Sequence, residues 1–169
     1  MRATIAIDNG TSGSIGIIAG PDATFFATPT KEALHYSKKG NAHQRIDVDE
    51  FTKALAPFTI MPCRAYVERP FTAGPMFVNT MLLAARAYEA SLIVLEGLGI
   101  GYETVDSKGW QAAMLPGVKG SENLKKASRL KGCQLYPGLA VYINKHGDAD
   151  GLLMARHYSA ISSVASHNN

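Results

Sequence analysis

The opening thirty residues carry three apolar runs of strand length, in "ATIAIDNG", "GSIGIIAG" and "ATFFATPT", with glycine, proline or asparagine between them. Punctuation at that spacing leaves no room for an amphipathic helix. It predicts three short strands joined by tight turns, the first buried and ending at Asp8. The chain is therefore committed to a sheet from its start, and the question is what covers it.

The rest of the chain alternates. After a polar loop, Leu34 to Arg45, "IDVDEFTKAL" places aspartates before Phe51, Ala54 and Leu55 at helical spacing. "CRAYVERP" is a strand stopped by Pro70. From Phe77 to Leu95 apolar residues recur at three and four, as in Leu82, Ala85 and Tyr88, predicting a long helix that extends over Met76 to Leu98. "GYETVDS" is a strand, "KGWQAAML" a short helix with Trp110 as packing, and "SENLKKASRLKG" a helix with Ser121 as N-cap and Gly132 as its stop. A last helix is expected from near Asp148 to about Ser162. Three meandering strands followed by alternating strands and helices predict an α/β fold, a mixed sheet with helices on both faces. One domain over 1–162 with a polar tail at 163–169 accounts for all 169 residues, without repeat or linker.

Composition excludes several classes. Cys63 and Cys133 stand apart, so neither a disulfide framework nor a thiolate zinc site is expected, and an intracellular setting follows. The N-terminal apolar stretch is too short for a signal peptide. The apolar region Met81 to Leu98 is interrupted by Arg86, Glu89 and Glu96, which argues against a membrane span. The net charge of +3 permits a polyanionic partner.

Chemistry concentrates in the acids. Asp8 and Glu68 each end an apolar strand, where a rigid backbone presents a side chain to the crevice at the sheet's end. The structural alternative is a turn cap, or for Glu68 a pairing with Arg69. Near the C-terminus, "HGDADGLLMA" adds His146, Asp148 and Asp150. Clustered carboxylates persist when a cation or shared protons neutralise them. Magnesium suits an all-oxygen set, and two such ions about 4 Å apart serve phosphodiester hydrolysis. On a continuous helix His146 and Asp150 would share a face and Asp148 would project elsewhere. Asp150 is then the first choice as ligand, and His146 a ligand or a general acid or base. Asp148 stands between N-cap and ligand.

Taken in order, "IAIDNGTSGSIG", "AYVERPF", "VDSKGWQ", "KKASRL" and "KHGDADGLLMA" resemble the Holliday-junction resolvases of the RuvC type, over Ile5 to about Ala155. The likeness is to the divergent branch of phages and organelles, within the RNase H-like and retroviral-integrase superfamily. It implies an RNase H-like sheet and a homodimer with two active sites on a four-way DNA junction. Each site would make a Mg2+-dependent nick, with Mn2+ as a substitute metal. Asp8, Glu68 and Asp150 match the family's first-strand, central-strand and last-helix acids, and His146 matches a position that varies between Asp and His. Typical bacterial members space that last pair three apart, which here falls on Gly147 and leaves the fourth group open between His146 and Asp148.

Phe71 falls where the family places an aromatic wedge for the junction centre, its alternative being a core phenylalanine. Lys108, Lys119, Lys125, Lys126 and Arg129, with Glu122 the one acid among them, give a basic bias suited to phosphates, its alternative being a solvated helix face. Apolar residues on several faces of the long helix would suit either a dimer contact or a buried central helix. Other readings remain: an RNase H-like nuclease acting on other branched DNA or on RNA, a non-catalytic junction binder, and, from "IDNGTSGSIGII", a phosphate loop like those of sugar kinases and actin-like ATPases. Against the last stands the want of a second domain and a second phosphate loop.

Overall fold

A computed structural model describes residues 2–34, 42–70 and 77–165, with side chains through 162. Its centre is Ala3–Ile7 (β1), buried at every position. A strand covered on both faces reads as an unbroken apolar run, which is how "ATIAI" reads. Ser14–Ala19 (β2) returns antiparallel to β1, and Asp22–Ala27 (β3) antiparallel to β2. On the other side Cys63–Glu68 (β6) runs parallel to β1, and Tyr102–Val105 (β7) parallel to β6. The order β3-β2-β1-β6-β7, with these directions, makes the mixed RNase H-like sheet that the sequence predicts.

Helices cover both faces because alternate strand residues are apolar on each. On one side Ile5, Ile7, Ile15, Ile17 and Val67 meet Phe51 and Leu55 of Val48–Leu55 (α1), and Val94 and Leu95 of Val78–Gly97 (α2). On the other, Ala6, Ile18 and Tyr66 meet Trp110 of Ser107–Met114 (α3), Ile143 of Ala140–His146 (α5), and Leu152, Leu153 and Met154 of Asp150–Ala165 (α6). Ser121–Leu135 (α4) packs outside, on α5 and α6. The contact of α6 with β2 is unusually close. A Cβ on Gly16 would lie 2.3 Å from Leu152 Cα, and one on Gly151 would lie 2.5 Å from the Ser14 carbonyl oxygen. Two glycines thus let a helix N-terminus sit directly against the sheet.

Several local expectations are corrected. The polar stretch Leu34 to Arg45 is not simply loop: Thr30–Leu34 (β4) and Ala42–Ile46 (β5) pair antiparallel as a two-stranded sheet. Of its strand residues only Ile46 is buried, so it lacks the apolar alternation that announces a strand. Ser121 is the first helical residue of α4 and not its cap; Gly120, at φ 87°, takes that place. Gly132 does not stop α4 but lies inside it, where an added Cβ would meet Ala149 Cβ at 2.4 Å. The last helix starts at Asp150 and runs three residues past Ser162.

α2 is not a fully buried central helix. Ala87, Ser91, Val94 and Leu95 in its C-terminal half are buried, whereas Phe77, Val78, Met81, Leu82 and Leu83 at its start are exposed. By length and composition it is also apolar enough to cross a membrane.

Candidate active site

The site forms where β1 and β6 end side by side. Ile7 pairs with Val67, so Asp8 and Glu68 leave adjacent parallel strands at the same level. Asp8 is held by its backbone N–H, which donates to the Ser14 carbonyl at 2.9 Å. The third contribution comes from the turn between α5 and α6. Gly147, at φ 106°, ends α5 in the left-handed region that glycine favours. The chain then passes through Asp148 and Ala149 into α6.

That turn overturns the helix-face argument. His146 is the last residue of α5 and Asp150 the first of α6, so four-residue spacing along one helix does not relate them. Asp148, expected to project elsewhere, is buried and joins the others: one oxygen each of Asp8, Asp148 and Asp150 lies within 4.8 Å of the rest. Asp148 Oδ1 also accepts from the Asp150 backbone N–H at 3.4 Å, so this residue both supports the start of α6 and joins the cluster. His146 Nε2 lies 3.3 Å from Asp148 Oδ1 but out of line for a hydrogen bond. Its ring meets Phe25 edge-on, with 5.6 Å between centroids.

Two buried serines hold the helix start in place. Ser14 Oγ accepts from the Gly151 N–H, and Ser128 Oγ from the Ala149 N–H, both at 3.1 Å. The Ser128 hydroxyl also acts on the Asp150 carboxyl, lowering its pKa. On the same face of α4, Lys125 Nζ stands 3.9 Å from Asp148 Oδ2. Glu68 is anchored separately, by the Trp110 indole Nε1, which donates to its Oε2 at 3.0 Å. Trp110 is thus more than packing. Arg69, the candidate partner of Glu68, instead makes a two-pronged pair with Asp106, its Nη2 donating to Oδ2 at 2.6 Å. Neither serine carried a sequence signal, since buried serines look like any others before folding. Trp110, as the chain's single tryptophan in a short helix after a strand, did offer one.

The electrostatics are those of crowded acids. Burial first, then the charges of Glu68, Asp150 and Asp148, pushes the Asp8 carboxyl well above the usual range, with Lys125 opposing. Burial raises Glu68 to about 7 against the Trp110 hydrogen bond, the Asp150 charge adding to the rise. Burial likewise raises Asp150 to about 6, opposed first by Ser128. A divalent cation would relieve all three, and the donor set, carboxylate oxygens throughout, fits a hard ion such as Mg2+. Asp8, Asp148 and Asp150 could hold one metal ion between them.

The basic residues are placed less centrally. Lys108, Lys119 and Lys126 are exposed and Arg129 is half-buried. Lys108 borders a cavity of about 860 Å³ lined also by Arg69, Val78, Met81, Leu82 and Asp106. Phe71 lies outside the described residues.

No family model and no curated protein matches this sequence. Among solved structures, the chain is similar to Thermus thermophilus RuvC at 13% identity and a TM-score of 0.44, over 92% of this chain and 96% of that one. It is also similar to T. thermophilus RuvC in complex with Holliday junction substrate, at 12% identity and a TM-score of 0.45, over 93% and 96%.

Proposed function

We propose that the chain is a metal-dependent endonuclease that resolves four-way DNA junctions by paired symmetrical nicks, working inside the cell as a homodimer of one nuclease domain over 1–162. One observation carries this reading: Asp8, from the start of the chain, and Asp148 and Asp150, from near its end, bring carboxylate oxygens within 4.8 Å of one another at the end of a rigid sheet, beside Glu68 on the neighbouring strand. The ordered sequence motifs support the choice of junction over other DNA.

In this reading Asp8, Asp148 and Asp150, with Glu68 at their margin, hold two Mg2+ or Mn2+ ions. Such ions supply an acidified water and neutralise charge on the scissile phosphate. The protein does the rest. β1 and β6 fix two acids, and Ser14 and Ser128 fix the start of α6, so the carboxylates are positioned before substrate arrives. In the same reading Asp148 is taken as the fourth group, a ligand, with His146 beside it as a proton carrier. Lys125, at the rim, meets the incoming phosphate. Lys108, Lys119, Lys126 and Arg129 add backbone affinity that salt weakens, and Phe71 wedges the junction centre.

The test is nicking of a labelled four-way junction against duplex of equal length, with Mg2+ and then with EDTA. Metal-dependent symmetrical nicks on the junction are expected, and Asp8→Asn should lose them while still binding. Tight binding without nicking by the unaltered protein would make it a junction binder, and nucleotide turnover in place of nicking would favour the phosphate-loop reading.

A further inference from the structure

Glu68 differs from the other acids in how it is held. A glutamate has one more rotatable bond than an aspartate and, unrestrained, samples many positions. Here both ends of its tether are immobile. Its backbone closes β6, between β1 and β7. Its Oε2 meets Trp110, whose ring is fully buried among Leu152, Leu153 and the sheet. An indole has one donor and no acceptor, so in this position it can do nothing but hold an oxygen. The nearest arginine in sequence, Arg69, is occupied by Asp106. A neutral donor orients the carboxylate without cancelling its charge, whereas a cation in the same place would compete with an entering metal.

We infer that Trp110 is a positioning residue for Glu68, its indole N–H fixing one oxygen so that the other is presented to the cation site, and that this coupling makes Trp110 a reporter of cation entry. The inference rests on the metal-dependent reading above. Phenylalanine would fill most of the same space without the N–H, which separates this role from packing.

Because the chain has a single tryptophan, the emission of the full-length protein can be followed directly while Mg2+ is added. A saturable change is expected over the Mg2+ range that supports junction nicking, and none over that range in Glu68→Gln. In Trp110→Phe the half-saturating Mg2+ for nicking should rise roughly tenfold, the loss typical of a hydrogen bond to a charged group, with a smaller effect on the rate at saturating Mg2+. Unchanged emission at saturating Mg2+, or a wild-type Mg2+ response in a folded Trp110→Phe, overturns the inference. Should Trp110→Phe not fold by circular dichroism, the emission titration decides. An emission change lost in Glu68→Gln, in a protein that nicks no branched DNA, would sink the nuclease reading and leave the Trp110–Glu68 coupling standing.

Discussion

At the scale of single residues, the acids of this site are built at the expense of stability. Glu68 at about 7 and Asp150 at about 6 both lie above their unfolded values. Their protonated forms therefore favour the fold: that contribution is complete below about pH 4 and is lost as the pH rises through 6 and 7. In the metal-free protein Glu68→Gln and Asp150→Asn should then raise the melting temperature at pH 8, by a few degrees, and make little difference near pH 4. Saturating Mg2+ should shrink the gap. Calorimetry across that range checks this, and lower melting of both variants at pH 8 would contradict it. The fourth position can be separated in the same way. With Asp148 in the cluster and His146 outside it, Asp148→Ala should reduce nicking about a hundredfold or more and His146→Ala about tenfold, both read under single-turnover conditions.

At the scale of elements, the seat of α6 on β2 decides whether the site exists. Asp150 opens this helix, and its place depends on the approach that Gly16 and Gly151 permit. A methyl on Gly16 meets backbone, at 2.3 Å from Leu152 Cα, so the helix itself must move. Gly16→Ala should cost about 1–3 kcal/mol, as overpacking does, and should lose nicking along with it. Gly109, inside α3, is the internal contrast: nothing lies within 4 Å of its added Cβ. There alanine should be neutral or stabilising by about 0.5–1 kcal/mol. Thermal melts of the two variants test the pair, and equal destabilisation would refute the account of the helix seat.

At the scale of the whole molecule, the feature that reaches beyond one chain is the start of α2. Phe77, Val78, Met81 and Leu82 are exposed together, and an apolar patch of that kind marks an interaction surface. A twofold pairing through it would suit a substrate of near twofold symmetry. Leu82→Glu should shift the gel-filtration mass from twice 18.1 kDa towards the single chain and turn paired nicks into unpaired ones. An unaltered protein that elutes as a monomer would remove the two-site arrangement from the proposal.

What the sequence determined by itself was the succession of elements and the class of fold. Apolar runs bounded by glycine and proline, and spacings of three and four, are local signals, and local backbone preference is enough to convert them into β1 to β3, β6 and the long helix. The place of Asp8 and Glu68 at strand ends was legible for the same reason, since the apolar run stops at each. The pairing of β4 with β5 was not, because a single buried residue, Ile46, leaves no alternation to read. Tertiary structure alone decided which side chains meet. Gly147 ends α5, a helix the sequence did not announce, ahead of the expected last helix, turning Asp148 inward and setting His146 apart from Asp150. Trp110 finds Glu68 across 42 residues, and Ser14 finds Gly151 across 137. Such meetings depend on how helices seat against the sheet, a sum over the whole core that no short stretch of chain encodes.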